Sequence, residues 1–207
     1  MSGSTRSDFA SVWSLYLWIG IGVAVLVLCA VLFAVVRYRD RPGRAPSRRA
    51  ERTAVEVAAT VLILAIVALL VFRTFHTEAR EDDSSAAGAV RIDVDAFQWG
   101  WKFTYPGQGV TVIGNSVREP NFAVPAGRRV SFALTSSDVI HAMWIPGQRF
   151  KKDAIPGRTN HFDMEFEARG REPGLCSEFC GLRHSNMRFG VWVLSDASYE
   201  RWLAAHR

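Results

Sequence analysis

The sequence lacks the motifs of several common enzyme classes. It contains no Gly-rich phosphate-binding loop, no Ser-His-Asp spacing and no paired-carboxylate signature. It has no internal repeat, and without a Cys-x-x-Cys-His motif no haem can be attached covalently to this chain. Nucleotide chemistry, triad hydrolysis and repeat architectures are therefore not indicated.

Charge is also missing from a long stretch near the N-terminus. The 28 residues from Phe9 to Val36 carry no charged side chain, which corresponds to about 42 Å of helix. Since a bilayer core is about 30 Å thick, the stretch predicts a membrane span over residues 11–36. A secretory signal peptide is the alternative, but the run is too long, and Arg37 follows it where small residues are expected.

A second uncharged run, from Val57 to Phe72, is shorter. Its 16 residues give only about 24 Å of helix, so a span would have to cover about residues 54–75. This extension places Glu56 at the membrane boundary. A buried core helix is the alternative, but the neighbouring first span favours a helical hairpin over residues 1–80.

Basic residues between the two spans predict the orientation of the hairpin. Residues 1–80 hold 10 Lys+Arg and 5 Asp+Glu, whereas residues 81–207 hold 15 of each, so the net charge of +5 lies wholly in the membrane part. Because short basic loops stay in the cytoplasm, loop 37–53 is predicted inside a bacterial cell membrane and both termini outside. The charge reports topology, and no nucleic-acid binding is expected.

The pattern changes after a linker predicted at residues 81–89. Residues 90–207 contain short β-rich runs broken by Pro-Gly pairs, which predict an antiparallel sandwich or barrel. The predicted strands cover residues 90–105, 110–114, 128–135, 140–145, 159–166 and 188–194. Ser195 is expected to cap a final helix over residues 196–206.

Soft metal ligands are concentrated near the C-terminus. Cys176 and Cys180 are followed by His184 and Met187, and a further imidazole, His141, lies 35 residues upstream of Cys176. Thiolate, imidazole and thioether are the ligands of copper that carries electrons. Two thiols between two histidines can hold two coppers.

Two plainer interpretations of this cluster stay open on spacing alone. A Cys176–Cys180 disulfide suits an oxidising compartment, but it leaves His184 and Met187 at ligand spacing by coincidence. A structural zinc ion can use two cysteines and two histidines, but Met187 then has no role.

Three motifs together resemble subunit II of cytochrome c oxidase. They are Cys-Ser-Glu-Phe-Cys-Gly-x-x-His-x-x-Met at 176–187, Asp-Val-Ile-His at 138–141 and Lys-Asp-Ala-Ile-Pro-Gly-Arg at 152–158. The hairpin followed by an external β domain resembles that family too, so the likeness covers nearly the whole chain. The resemblance implies an all-β, cupredoxin-like Greek-key domain preceded by a two-helix transmembrane hairpin.

The resemblance also implies a dinuclear copper (CuA) centre with two bridging thiolates and two further ligands on each copper. The implied positions are Cys176 and Cys180 as bridges, His141 and Met187 on one copper, and His184 and the Glu178 backbone carbonyl on the other. The Glu178 carboxylate is further implied as a ligand of a Mg²⁺ ion shared with the catalytic subunit. Carboxylate oxygen suits such a hard cation.

Trp99 is implied by the resemblance as the point where electrons from cytochrome c enter. It belongs to the stretch 97–105, which has an aromatic residue at every odd position. This alternation equally predicts that the aromatic residues form one buried face of a strand. Packing is therefore expected for the remaining members, Trp101, Phe103 and Tyr105.

Glu56 resembles the acid at the start of the family's second helix, near the mouth of a proton pathway in the catalytic subunit. The residues that follow it match the family less well. The alternative is an acid stabilised by the dipole at a helix N-terminus.

The pattern as a whole predicts the subunit through which electrons enter a respiratory terminal oxidase. It would accept electrons from cytochrome c and pass them to the haem–copper subunit I, where oxygen reduction drives proton translocation. Other oxidase subunits and membrane lipid are the remaining expected partners. A CuA-bearing nitric oxide reductase subunit and a membrane-anchored copper chaperone are the alternatives.

Overall fold

The computed structural model describes residues 5–39, 52–81 and 89–207. The chain divides into a helical unit, Ala10–Thr77, and a second unit made of Met1–Phe9 and Glu78–Arg207. Most of the predicted linker at 81–89 and most of the basic loop at 37–53 lie outside the described residues.

The helical unit consists of α1 (Thr5–Arg37) and α2 (Thr53–Glu81). Within them, Phe9–Arg37 and Thr53–His76 are long and apolar enough to cross a membrane. Their apolar side chains are exposed along both helices, which suits a hydrocarbon surrounding rather than water. The Tyr16 hydroxyl lies 2.7 Å from Thr74 Oγ1 and links the two helices by a polar contact.

The second unit contains ten strands and a C-terminal helix. Their bounds are β1 Val90–Phe97, β2 Gly100–Tyr105, β3 Val110–Asn115, β4 Asn121–Pro125, β5 Arg129–Ser136, β6 His141–Ile145, β7 Phe150–Ala154, β8 Asn160–Glu165, β9 Gly170–Cys176, β10 Arg188–Leu194 and α3 Asp196–His206.

The strands form two five-stranded sheets, in the orders β3-β2-β1-β5-β8 and β4-β10-β9-β6-β7. The predicted sandwich is confirmed and most of its strand pairs are antiparallel, but β1 pairs with β5 and β4 pairs with β10 in parallel, which the prediction missed. Such parallel pairs join strands that are distant in sequence, and turn signals do not report them.

The aromatic stretch is divided by a hairpin, so the single predicted strand at 90–105 was wrong. Phe97 pairs with Gly100 across a two-residue turn, Gln98–Trp99. A two-residue turn changes which parity of residue faces the core. In β1 the even positions from Ile92 to Ala96 are buried, and in β2 the odd ones are, Trp101, Phe103 and Tyr105. The expected packing of these three aromatics is therefore confirmed.

Three strands were missed by the sequence prediction: β4, β7 and β9. In β9 the cause is the Pro173–Gly174 pair, which reads as a turn but lies inside the strand. Gly174 is required there by packing, because a Cβ atom on it would lie 2.0 Å from Phe189 Cε2. Strand glycines at such close approaches resemble turn signals in sequence.

Helix α3 begins as predicted, with the Ser195 hydroxyl accepting a hydrogen bond from the Ser198 N–H. It buries Tyr199 and Leu203 against the β domain. Its Trp202 ring packs 5.6 Å from the Tyr105 ring, at the end of β2 opposite the Gln98–Trp99 turn.

Candidate metal centre

Three adjacent strands bring the predicted ligands to one end of the β domain. His141 is the first residue of β6, Cys176 is the last residue of β9, and Met187 directly precedes β10. The Cys176 N–H donates to the Met187 carbonyl at 2.9 Å, which closes the loop between β9 and β10. Strand pairing thus fixes both ends of the segment that carries the other ligands.

All six predicted metal-binding positions converge around the two sulfur atoms. Cys176 Sγ lies 3.8 Å from Cys180 Sγ, 3.8 Å from His141 Nδ1 and 3.3 Å from the Glu178 carbonyl oxygen. Cys180 Sγ lies 3.5 Å from His184 Nδ1 and 3.8 Å from Met187 Sδ. Because a disulfide bond measures about 2.05 Å, the two cysteines are separate thiols here.

The site is shielded from water on most sides. His141 and Met187 are fully buried, and the two cysteines are nearly so. The ligand atoms of His141, Cys176 and Cys180 lie within 4.8 Å of one another, close enough to hold a metal ion. His184 is half-buried and forms the outer side of the cluster.

The environments of the two thiols move their pKa values in opposite directions. Burial raises the pKa of Cys176, but hydrogen bonds from His141 and from the Ala142 and Glu178 backbone outweigh it and lower the pKa to about 7. Burial raises the pKa of Cys180, and the negative charge of Cys176 raises it further, to about 12. The apoprotein therefore favours one thiolate, and a bound cation would be needed to favour two.

Asp138 orients the buried His141 imidazole. Its Oδ1 lies 2.8 Å from His141 Nε2, so Nδ1 is the ring nitrogen that faces Cys176. Burial lowers the pKa of His141, but hydrogen bonds with Cys176 and Asp138 raise it above its usual value. A carboxylate behind a ligating histidine fixes the ring and strengthens it as a ligand.

The Gln98–Trp99 turn contacts both loops of the site. The Gln98 N–H donates to Asp138 Oδ2 at 2.6 Å, and its side-chain amide donates to the Cys180 carbonyl at 2.8 Å. The Trp99 indole N–H donates to the same carbonyl at 3.1 Å. The Trp99 ring is partly exposed, so one aromatic side chain touches both a predicted ligand residue and the surface.

The Glu178 carboxylate points away from the sulfur atoms. It forms a short ion pair with Lys151, which also lies 3.8 Å from Asp153. The hydrogen bond to Glu178 is the main reason why the pKa of Lys151 is raised. The backbone and the side chain of Glu178 thus face different surroundings.

Glu56 lies in the first turn of α2, which belongs to the helical unit. Its carboxylate accepts a hydrogen bond from the Arg52 N–H at 3.3 Å. This contact satisfies one of the free N–H groups at the helix start.

Sequence reasoning gave no separate role to Gln98, Asp138 or Lys151. Asp138 carried a signal, since a carboxylate three residues before a ligating histidine can reach its ring. Gln98 and Lys151 had no such signal in the sequence. Their partners, Cys180 and Glu178, lie 82 and 27 residues away.

Comparison with known proteins gives the family of this chain. Residues 115–193 match the family model of the cytochrome c oxidase subunit II periplasmic domain. A probable cytochrome c oxidase subunit 2 of Streptomyces avermitilis is 30% identical over 234 residues, which cover 91% of this chain and 73% of that protein. This chain belongs to the cytochrome c oxidase subunit II family.

Other members of the subunit II family differ in length. Cytochrome c oxidase subunit 2 of Alkalihalophilus pseudofirmus is 30% identical over 188 residues, covering 87% of this chain but only 53% of that protein. The chain thus spans about half the length of this relative.

Solved structures of subunit II domains share the β fold. The periplasmic domain of subunit II of cytochrome oxidase of Bradyrhizobium japonicum matches with a TM-score of 0.53 and 28% identity, covering 58% of this chain and 95% of that domain. A mixed disulfide intermediate between a thioredoxin-like protein and subunit II of cytochrome c oxidase matches with a TM-score of 0.50 and 26% identity, covering 60% and 95%. The predicted cupredoxin-like domain after two apolar helices is thereby confirmed.

Proposed function

We propose that this chain is the electron-accepting subunit of a respiratory terminal oxidase. It takes electrons from a cytochrome c and passes them to a haem–copper catalytic subunit, where oxygen reduction is coupled to proton translocation. The observation that supports this proposal most strongly is the pair of cysteine Sγ atoms 3.8 Å apart. Each sulfur atom has a different histidine Nδ1 within 3.8 Å. When bound, a copper pair supplies the one-electron couple.

The donor set fits such a dinuclear copper centre. Two sulfurs can bridge, and one imidazole and one weak ligand are available beside each. Among the residues that the structure describes, no carboxylate belongs to the cluster of His141, Cys176 and Cys180. The proposed ligands are His141, Cys176, Glu178 through its carbonyl, Cys180, His184 and Met187. The protein holds these groups on paired strands and in a closed loop, which keeps their positions nearly fixed when the charge of the site changes.

Trp99 is the proposed point at which electrons enter. Its indole hydrogen bond to the Cys180 carbonyl and its partial exposure support this role. The fully buried Trp101 lacks the exposure that contact with a donor requires.

The membrane arrangement is proposed from charge and helix length. The two apolar helices would form the anchor, loop 37–53 would lie in the cytoplasm, and the β domain outside. Glu56, at the start of α2, is proposed to lie near a proton pathway of the catalytic subunit. Its hydrogen bond to Arg52 gives it a helix-capping role as well.

Glu178 is proposed to bind Mg²⁺ at the boundary with the catalytic subunit. In the chain alone Lys151 neutralises its carboxylate, so Lys151 would have to move when the cation binds. A disulfide formed between Cys176 and Cys180 would have to be reduced to two thiols before metal loading, and a thioredoxin-like reductant is proposed for this step because a subunit II relative forms a mixed disulfide with such a protein.

The decisive experiment is an electron paramagnetic resonance spectrum of the full chain in detergent, reduced and then loaded with copper. Hyperfine splitting shared by two equivalent copper nuclei is expected. Splitting from a single nucleus would contradict the dinuclear centre. In a second step, Trp99→Phe should keep the spectrum but slow electron transfer from cytochrome c.

The copper-chaperone alternative is less well supported. It would need a thioredoxin-like βαβ pattern, and residues 89–207 contain no helix between any two strands except two short 3₁₀ turns.

A further inference from the structure

The loop that follows β3 lies against the β1–β2 turn. Gly100 pairs with Asn115 at the end of the β2–β3 ladder, and the Ser116 N–H donates to the Trp99 carbonyl at 2.8 Å. A Cβ atom on Gly100 would lie 2.2 Å from the Gly114 carbonyl oxygen. The backbones of the turn and of the loop therefore approach each other more closely than a side chain would allow.

Asn115 closes this loop with three hydrogen bonds. Its side-chain Oδ1 accepts from the Val117 N–H at 2.9 Å and from the Arg118 N–H at 3.0 Å. Its backbone N–H donates to the Arg118 carbonyl at 2.8 Å. An asparagine side chain that accepts a backbone N–H two residues later forms an Asx turn, which fixes a short loop outside regular secondary structure. Ser116 lies inside this turn, so the turn sets the direction of its N–H.

Trp99 is thereby held at two points. Its carbonyl accepts from the Ser116 N–H, and its indole N–H donates to the Cys180 carbonyl at 3.1 Å. The same serine also contacts the segment that carries the proposed ligands, because the Arg183 guanidinium donates to the Ser116 hydroxyl at 3.4 Å. The loop therefore joins the turn that carries Trp99 to the segment that carries Cys180.

On the basis of the proposed function, we propose that Asn115 is a positioning residue for electron entry. Its side chain orders the loop so that Ser116 keeps the Trp99 ring in contact with the Cys180 carbonyl. Asn115 itself is exposed and acts through Ser116 rather than by touching the ring or the sulfur atoms. Functional groups have to be held within about 0.5 Å of their working position, and a displacement of about 1 Å can slow a reaction about 100-fold.

The test removes the side-chain acceptor and measures electron entry. Asn115→Ala is compared with the unmodified full chain, both loaded with copper in detergent and mixed with reduced mitochondrial cytochrome c. Oxidation of the donor haem is followed by stopped-flow absorbance at high ionic strength, where surface charges are screened. The variant is expected to react about tenfold more slowly, with an unchanged copper paramagnetic resonance spectrum. In the apoprotein, the indole N–H resonance of Trp99 should broaden.

Three further variants assign the effect to the loop. Asn115→Asp keeps an oxygen acceptor for both N–H groups and should restore most of the rate. Asn115→Ala combined with Trp99→Phe should be no slower than Trp99→Phe alone, because the ring that the loop positions is then already missing. Gln108→Ala changes the turn at the opposite end of the β2–β3 hairpin and should leave the rate unchanged.

The outcomes separate positioning from the proposed function. If the unmodified chain binds no copper pair, or Trp99→Phe reacts as fast as the unmodified chain, the proposed entry at Trp99 fails and the positioning role with it. If Trp99→Phe is slow but Asn115→Ala is as fast as the unmodified chain, the positioning role alone is overturned. It is also overturned if Asn115→Asp is as slow as Asn115→Ala, or if Asn115→Ala changes the copper spectrum, since the loop would then support the ligands instead.

Discussion

The indole N–H of Trp99 donates a hydrogen bond to the backbone carbonyl of Cys180 at 3.1 Å. A partly exposed ring is thereby joined to a residue whose sulfur lies inside the buried cluster. Gln98 donates to the same carbonyl and, through its backbone, to Asp138. The β1–β2 turn therefore holds both loops that carry the proposed ligands.

The Gln98 side chain is expected to position Trp99 and the ligand loop. Gln98→Ala removes one donor to the Cys180 carbonyl but keeps the backbone N–H that binds Asp138. Losing this hydrogen bond should cost about 1 kcal/mol in the free energy of unfolding and broaden the indole N–H resonance of Trp99 in the apoprotein. Gln108→Ala, in the turn at the far end of β2, is the control. Equal spectra for the two variants would show that Gln98 has no positioning role.

Cys180 is expected to be essential for a dinuclear centre, because a serine hydroxyl does not bridge two coppers as a thiolate does. Cys180→Ser should give hyperfine splitting from at most one copper nucleus in the paramagnetic resonance spectrum. Cys29→Ser, in the apolar helix α1, should retain the unmodified signal. Spin shared between two nuclei in Cys180→Ser would refute the bridging assignment.

Asp138 is expected to strengthen metal binding through His141. Asp138→Asn keeps the shape of the side chain but removes its charge, so the imidazole loses its carboxylate partner. Copper affinity, measured by competition with a chelator, should fall about 10- to 100-fold. Asp196→Asn, on the exposed start of α3, provides the comparison and should leave the affinity unchanged. An unaltered affinity in Asp138→Asn would mean that the loop alone orients His141.

In the metal-free, reduced protein, Cys176 and Cys180 should lose their thiol protons at widely separated pH values. In a Cys29→Ser background, ultraviolet thiolate absorbance should show one equivalent near pH 7 and a second only near pH 12. A single step of two equivalents near pH 9 would contradict the different environments of the thiols.

The same shifts predict how stability depends on pH. Between pH 7 and 9 the unfolded chain holds more protons at Cys176 than the folded one, so this thiol makes stability rise with pH. Between pH 9 and 12 the folded chain holds the extra proton at Cys180, so stability falls as pH rises. In denaturant unfolding of the apoprotein, the contribution of the thiols to the free energy of unfolding should be largest near pH 9. The rise in stability between pH 7 and 9 should be absent from Cys176→Ser.

Strand pairing shows where sequence patterns stopped being informative. Aromatic residues do alternate across residues 97–105, but a turn interrupts the stretch. Only the pairing of Phe97 with Gly100 shows that the core-facing positions change from even in β1 to odd in β2. Pro173–Gly174 read as a turn, yet Gly174 lies in a strand because Phe189 packs directly on it. Such contacts involve residues distant in sequence, so local periodicity does not report them.

The sequence by itself determined the two apolar helices, the β-rich character of the following domain, the capped final helix and the residue types of the metal centre. These depend on local properties: run length, hydropathy, capping chemistry and the spacing of Cys176, Cys180, His184 and Met187. The resemblance implied His141 as a further ligand, but only the tertiary structure showed that its ring lies 3.8 Å from Cys176 Sγ, that Asp138 lies behind it, and that Gln98 and Trp99 hold the Cys180 carbonyl. The reason is that these contacts need β6, β9 and β10 to pair within one sheet and the β1–β2 turn of the other sheet to pack against their loops.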